Sequence, residues 1–350
     1  MIDPPFKTRG QALAMLLALC GTMALPVVLP FLGVPSRLEL YRSLPVSTGP
    51  FNFIAHEIYE EDGPIDVVFI GSSTLWSAID ARQVERVLSE RLGRPAVVRV
   101  LAANWPGDDL TYVLLRDLLA HRKVKFVVLG MPFPNQANDR PHVQAFRWLR
   151  LGDDPLIFEG SSLRSRAAVY ASTVLGAPRQ LLTRLRPNRP TSTHDEGINL
   201  GAQLGEHGFH GAAYVRFERA PPAISAAEAT GRSAAAGWFR VTNTRLGPYQ
   251  LHFAKLIGEL LKAHQVRAAA IHVPMWSDRA SPTVNQAMDW NEVVGVPMPI
   301  IGAPGAVMFS ELSASEQELL YYDEHLNRNG AEFFTRALTP AIVELANAVE

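Results

Sequence analysis

The sequence predicts an α/β protein built on a doubly wound parallel sheet, preceded by a membrane-crossing helix and interrupted by a helical insertion. Residues Ile65 to Ile70 form an almost unbroken apolar run, the pattern of a strand buried on both faces of a parallel sheet. Comparable runs at Val97 to Leu101, Val124 to Leu129 and Val266 to Val273 alternate with segments of helical spacing, the rhythm of a doubly wound sheet. The stretch from Ala12 to Leu32 carries no charge and is long enough, at helical rise, to cross about 30 Å of hydrocarbon.

Taken in order, residues 1–35 are read as a short tip and a membrane anchor. Lys7 and Arg9 before the apolar stretch are balanced by Arg37 and Arg42 after it, so charge barely biases the orientation. The simpler topology leaves the tip in the cytoplasm and places the large domain on the extracytoplasmic, periplasmic side of the cytoplasmic membrane, as a single-pass protein. Pro26 and Pro30 are expected to kink the helix. A cleaved signal peptide is the alternative. Residues 36–63 read as a linker and 64–350 as the α/β domain.

Within that domain Gly71 ends the first strand, and Asp80 is placed to cap a helix with Val84, Val87, Leu88 and Leu92 on one face. Gly93 and Pro95 stop it. The second strand is followed by a helix at Leu110 to Ala120 and then the third strand. Residues 150–235 break the rhythm and read as an insertion or cap, with a helix around Ser162 to Leu185 that Gly176 and Pro178 are placed to interrupt. The alternation resumes with a helix carrying Tyr249, Phe253, Leu256, Leu260 and Leu261. It feeds the strand that Pro274 closes. A Pro- and Gly-rich loop over 280–308 precedes a last helix from Arg328 toward Ala348, expected to bend at Pro340.

Composition removes several functional classes. The chain has 350 residues, 47% of them apolar, a net charge of -1 and no basic block, so the electrostatic footprint of a nucleic-acid binder is missing. The single cysteine, Cys20, excludes an intramolecular disulfide framework and a cysteine-rich zinc site. His207 and His210 read as loop residues around Gly208 with no third ligand in sight, and His272 as a core or rim histidine, so neither metal nor cofactor is expected. Trp76, Trp105, Trp148 and Trp276 read either as rings lining a sugar cleft or as buried packing.

Three segments carry residues suited to chemistry. Gly71, Ser72, Ser73 and Thr74 follow the first strand, where a serine has backbone N–H groups around it able to hold an oxyanion. An ordinary capping turn reads equally well. Asn104, Trp105, Pro106, Gly107, Asp108 and Asp109 follow the second strand, with Asp108 or Asp109 also suited to capping a helix. Tyr321 to Asn327 places Asp323 and His325 before the last helix. An imidazole there needs an acceptor at one nitrogen while the other takes a nucleophile's proton.

Together these segments resemble blocks of the SGNH/GDSL hydrolases. Gly71, Ser72 and Ser73 stand where that family has Gly-Asp-Ser, which makes Ser73 the match to the nucleophile. Gly107 falls in the block that supplies an oxyanion-hole N–H beside that of Ser73, and Asp323 with His325, followed by Leu326, Asn327 and Gly330, resembles the closing block. The resemblance covers residues 64–132 and 240–345 and implies a flavodoxin-like three-layer fold. Two departures stand out. The family's acid lies three residues before the histidine, where this chain has Tyr322, and the family's Gly-x-Asn reads Gly130, Met131, Pro132. Asn104, Asn135 or Asn138 is left to supply a side-chain contact to an oxyanion or substrate.

The resemblance, joined to the anchor, implies a serine-dependent O-acyl esterase or O-acyltransferase acting on a cell-envelope glycan or exopolysaccharide. Among SGNH proteins it is similar to the membrane-anchored accessory proteins of alginate O-acetylation and teichoic-acid D-alanylation. A membrane-bound O-acyltransferase is the expected partner. The competing reading is a non-catalytic glycan-binding or scaffold partner of such an acyltransferase, motivated by the altered acid spacing and the missing asparagine.

Overall fold

The computed structural model describes residues 8–32, 35–44, 49–104, 107–130, 141–151, 162–183, 221–236, 248–278 and 290–348. The chain divides into two compact units, residues 1–44 with 140–189, and residues 45–139 with 190–350.

The first unit is helical. Its α1 (Arg9–Phe31) contains a stretch, Arg9–Leu29, long and apolar enough to cross a membrane. It runs on through Pro26 and Pro30 as one continuous helix. A short α2 (Arg37–Arg42) starts at a capping box in which Ser36 and Glu39 satisfy each other's backbone N–H groups. Then come α7 (Val143–Arg147) and α8 (Leu163–Thr183), numbered with the helices of the second unit in chain order. The interruption expected at Gly176 and Pro178 does not occur: α8 is continuous. Gly176 is required there for another reason, since a Cβ at this position would collide with the Arg147 carbonyl of α7.

The second unit holds a five-stranded, all-parallel sheet in the order β2-β1-β3-β4-β5, made of β1 (Ile65–Ser72), β2 (Val98–Ala103), β3 (Val124–Gly130), β4 (Arg267–Ile271) and β5 (Ile300–Ile301). This is one of the two common doubly wound orders, whose switch point lies between β1 and β3. Alternation along the strands divides the core. Val67, Phe69, Val98, Val100, Phe126, Val128 and Ala269 face α4 (Ser73–Ala78), α5 (Ala81–Leu92), α9 (Ala226–Ala236) and the long terminal helix, α14 (Arg328–Asn347). On the other face α6 (Asp108–His121) packs on β1, and α3 (Phe51–Tyr59) and α10 (Pro248–Ala263) pack on α6. Between β4 and α14 lie α11 (Trp290–Val294), α12 (Gly305–Met308) and α13 (Ala314–Glu318), and a two-stranded antiparallel hairpin, β6 (Tyr321–Tyr322) with β7 (His325–Leu326).

Three expectations need correcting. Residues 36–63 are not a plain linker: α3 buries Phe53, Ile54 and Ile58, and its buried Glu57 pairs with Arg99 at 2.8 Å and Arg122 at 3.5 Å. The 150–235 segment is not one insertion, because α8 belongs to the first unit whereas α9 packs on β5 and α14 in the second. The Pro- and Gly-rich loop contains the edge strand β5, too short to show periodicity. The cap at Asp80 is as read: its side chain accepts from Gln83 N at 3.1 Å, and Gly93 closes α5 in the left-handed conformation.

Candidate active site

The switch point of the sheet is where β1 ends, and Ser73 stands there as the first residue of α4. The turn is tight because glycine leaves room for it. A Cβ on Gly71 would come within 2.9 Å of Leu75 Cδ2 and 3.3 Å of Gly130 Cα, so a side chain here would press on Leu75 and on the backbone at the end of β3. Ser72 and Ser73 then diverge. The Ser72 hydroxyl bonds the Thr74 hydroxyl at 2.6 Å, whereas Ser73 Oγ lies 2.9 Å from His325 Nε2 across 252 residues of sequence.

His325 reaches that point because its hairpin is pinned at the base. Tyr321 and Leu326 are opposite each other and fully buried. Tyr321 packs edge-on against Trp276 and Phe309, at centroid distances of 5.7 and 6.2 Å. Asn327, itself buried, accepts from Gly330 N at 3.1 Å to cap α14, and its amide donates to Leu319 O at 2.9 Å and Tyr321 O at 3.1 Å. Thr335, about two turns further along α14, donates to Ala78 O and accepts from Asp80 N, each at 3.0 Å. That clamp ties the end of the Ser73 helix to the helix that follows His325.

The turn between the two hairpin strands is Asp323-Glu324, with Asp323 at a φ of +54°. Asp323 is exposed, and among the described residues no hydrogen bond joins it to His325. Its influence is electrostatic and is shared with Glu324. Burial pushes the His325 imidazole below its ordinary value, and the charges of Asp323 and Glu324 pull it partly back. His325 is therefore neutral at pH 7, with Nε2 able to accept the Ser73 proton. Glu324, which the sequence reading passed over in favour of Asp323, also accepts from Ser277 N at 3.1 Å and so ties the hairpin tip to the loop after β4.

At the neighbouring strand end, Ser72 pairs with Ala103, which places Asn104 one residue beyond the paired register. Gly107 is the N-cap of α6 at a φ of 170°, an extended geometry open to any residue. Neither aspartate caps α6 across its first turn. Asp109 accepts from the adjacent Leu110 N at 2.8 Å and from the Tyr249 hydroxyl at 3.0 Å. Asp108 is buried, its Oδ2 has no hydrogen-bond partner among the described residues, and burial, with the charge of Asp109, pushes its carboxyl up to about 7. Sequence spacing could not single it out, since both aspartates look like first-turn caps.

Asn135, Asn138, Trp105, His207 and His210 lie outside the described residues. Of the other rings weighed for a sugar cleft, Trp76 and Trp148 are buried, and Trp276 is partly buried against the core. His272 is buried at the end of β4.

What these residues define is an α/β unit with a parallel sheet that brings a serine and a neutral histidine into hydrogen-bond contact at its switch point. No family model matches the chain, and no curated protein matches it.

Proposed function

We propose that the chain is an extracytoplasmic, SGNH-type serine O-acyl hydrolase or acyltransferase acting on a cell-envelope glycan or exopolysaccharide. The observation that carries the proposal is the 2.9 Å contact between Ser73 Oγ and His325 Nε2 at the carboxyl end of β1. In the proposed reaction Ser73 Oγ attacks the acyl carbonyl carbon while its proton passes to His325 Nε2. The negative charge on the carbonyl oxygen is held in this reaction by the backbone N–H of Ser73, at the start of α4, with that of Gly107 as the second donor. Collapse expels the sugar oxygen, which takes the proton from His325, and leaves an acyl ester on Ser73. Water or an acceptor hydroxyl, deprotonated by His325, then releases the acyl group. The same residues serve both acceptors.

The location rests on the apolar length of α1, and the glycan and the membrane-bound O-acyltransferase partner on the resemblance to SGNH accessory proteins. One observation favours the second reading, a non-catalytic glycan-binding or scaffold protein: no hydrogen bond joins Asp323 to His325 among the described residues. The two are separated by labelling the full-length protein with a fluorophosphonate. Loss of labelling in Ser73→Ala and His325→Ala, with Ser72→Ala still labelled, is expected of the enzyme. Deletion of either member of such a pair lowers turnover by roughly 10^4-fold or more. A folded wild type that never labels and releases no acetate from acetylated glycans belongs to the scaffold.

A further inference from the structure

The helix α8 packs on α1 within the stretch that is long and apolar enough to cross a membrane. Along α1 the side chains are exposed from Arg9 to Gly21, and cover begins only at Thr22, Leu25, Pro26 and the buried Leu29. There the Tyr170 hydroxyl of α8 donates to the Met23 carbonyl at 2.8 Å. At 1.5 Å per residue Met23 lies about 9 Å short of Leu29, the end of the apolar stretch, and about 21 Å beyond Arg9. If α1 crosses a bilayer, Tyr170 meets it inside the hydrocarbon boundary.

The two faces of α8 are consistent with that depth. Its inner face is a stripe of small and β-branched residues at four-residue spacing, Ser165, Val169, Thr173 and Ala177, all buried. The outward face is apolar as well. Leu163 is 84% exposed, Leu175 65% and Leu182 54%, and the alanines at 167, 168 and 171 are also exposed. Between Arg166 and Arg179 the helix has no charged residue. A water-facing helix places its polar residues outward; α8 instead offers lipid-compatible side chains, with Arg164 and Arg166 exposed at its first turn, able to reach headgroups.

We infer that α8 is a second membrane-embedded element, its outward apolar face seated in the same leaflet as the C-terminal end of α1. The occupant of that face is lipid, because the face is apolar and exposed, and because α8 packs on α1 and bonds it through Tyr170 within the stretch able to cross a membrane. The inference rests on α1 being a retained span. It gives this insertion a role that catalysis does not require, holding the first unit against the bilayer by two helices.

The test uses the full-length chain in liposomes with single cysteines carrying an environment-sensitive fluorophore. Native Cys20, exposed on α1, reports the span itself. In a Cys20→Ser background, Leu175→Cys and Leu182→Cys report the α8 face, and Glu90→Cys, exposed on α5, is the aqueous reference. Nitroxides on the lipid acyl chains are expected to quench the two α8 probes as strongly as the Cys20 probe and to leave Glu90→Cys bright. Quenching at Cys20 with α8 probes that respond only to aqueous iodide overturns the inference while keeping the span. α8 probes reached by neither quencher overturn it as well, by showing that protein covers the face. An unquenched Cys20 probe removes the span, and the inference with it.

Discussion

Asp108→Asn is expected to stabilise the protein at alkaline pH and to leave it nearly unchanged in acid. In the folded chain the Asp108 carboxyl is raised from 3.8 to about 7, first by burial and then by the charge of Asp109. The folded state therefore prefers the neutral acid. Its stabilising contribution is complete below pH 3.8, falls by about 1.4 kcal/mol for each pH unit above that, and levels off above pH 7. The accumulated loss is about 4 kcal/mol, an order-of-magnitude figure for a fully buried carboxyl. Asparagine cannot ionise, so the variant escapes that loss while nearly keeping the shape of the side chain. Urea unfolding of wild type and variant, followed by intrinsic fluorescence at pH 4.5, 6 and 9, measures the divergence. A gap that widens from pH 4.5 to 9 in favour of the variant is expected. A gap that does not change with pH refutes the reasoning, because it would mean that Asp108 is as readily ionised folded as unfolded.

Three further outcomes are expected from the site. Thr335→Val removes the hydroxyl that bridges Ala78 O and Asp80 N and leaves both unpaired, which is expected to cost about 1–3 kcal/mol in a denaturant titration and to slow fluorophosphonate labelling of Ser73. A variant that unfolds more easily but labels at the wild-type rate would show that the clamp does not position the serine. Asp323→Asn and Glu324→Gln each remove a charge that raises the His325 imidazole, so each is expected to move the acid limb of the labelling profile to lower pH. If only one substitution moves it, the other carboxylate plays no part. Asn327→Ala removes the cap of α14 and two donors to the hairpin base, and is expected to cost about 1–2 kcal/mol in thermal or chemical unfolding; an unchanged midpoint would dismiss that role.

The sheet was legible wherever a strand was long and buried on both faces, as at Ile65 to Ile70, because burial from both sides removes polar residues from the run. The two-residue strands were not legible. Ile300–Ile301 sits between Pro299 and Gly302, and the 321–326 hairpin turns on Asp323-Glu324 without the glycine or asparagine that usually marks such a turn. The α3 helix was not legible although Phe53, Ile54 and Ile58 are among its buried residues, since nine residues give its apolar face only about two turns to repeat in. Ser73 and His325 were recognisable because each stands at an element boundary where its chemistry is usable. What joins them was not, since the Thr335 clamp reaches over more than 250 residues and a threonine inside a helix gives no local sign of such a bond.

The hairpin also gives a physical meaning to the departure in acid spacing. Tyr322 is paired directly opposite His325, so position 322, three residues before the histidine, projects to the same side of the hairpin as the imidazole. Directly opposed Cβ atoms lie about 4.5–5.5 Å apart. A carboxylate there would adjoin the ring, whereas Asp323 occupies the turn and acts on it only through space. Tyr322 is 45% exposed, so Tyr322→Asp deletes little packing. The substitution is expected to raise the His325 imidazole, to shift the acid limb of labelling to higher pH, and to speed labelling at pH 8. A faster Tyr322→Asp variant would show that the native site works with a weaker orienting acid than its geometry permits. An acid limb that stays in place would show that the carboxylate at 322 does not reach the ring, and that the hairpin register alone does not decide which acid serves His325.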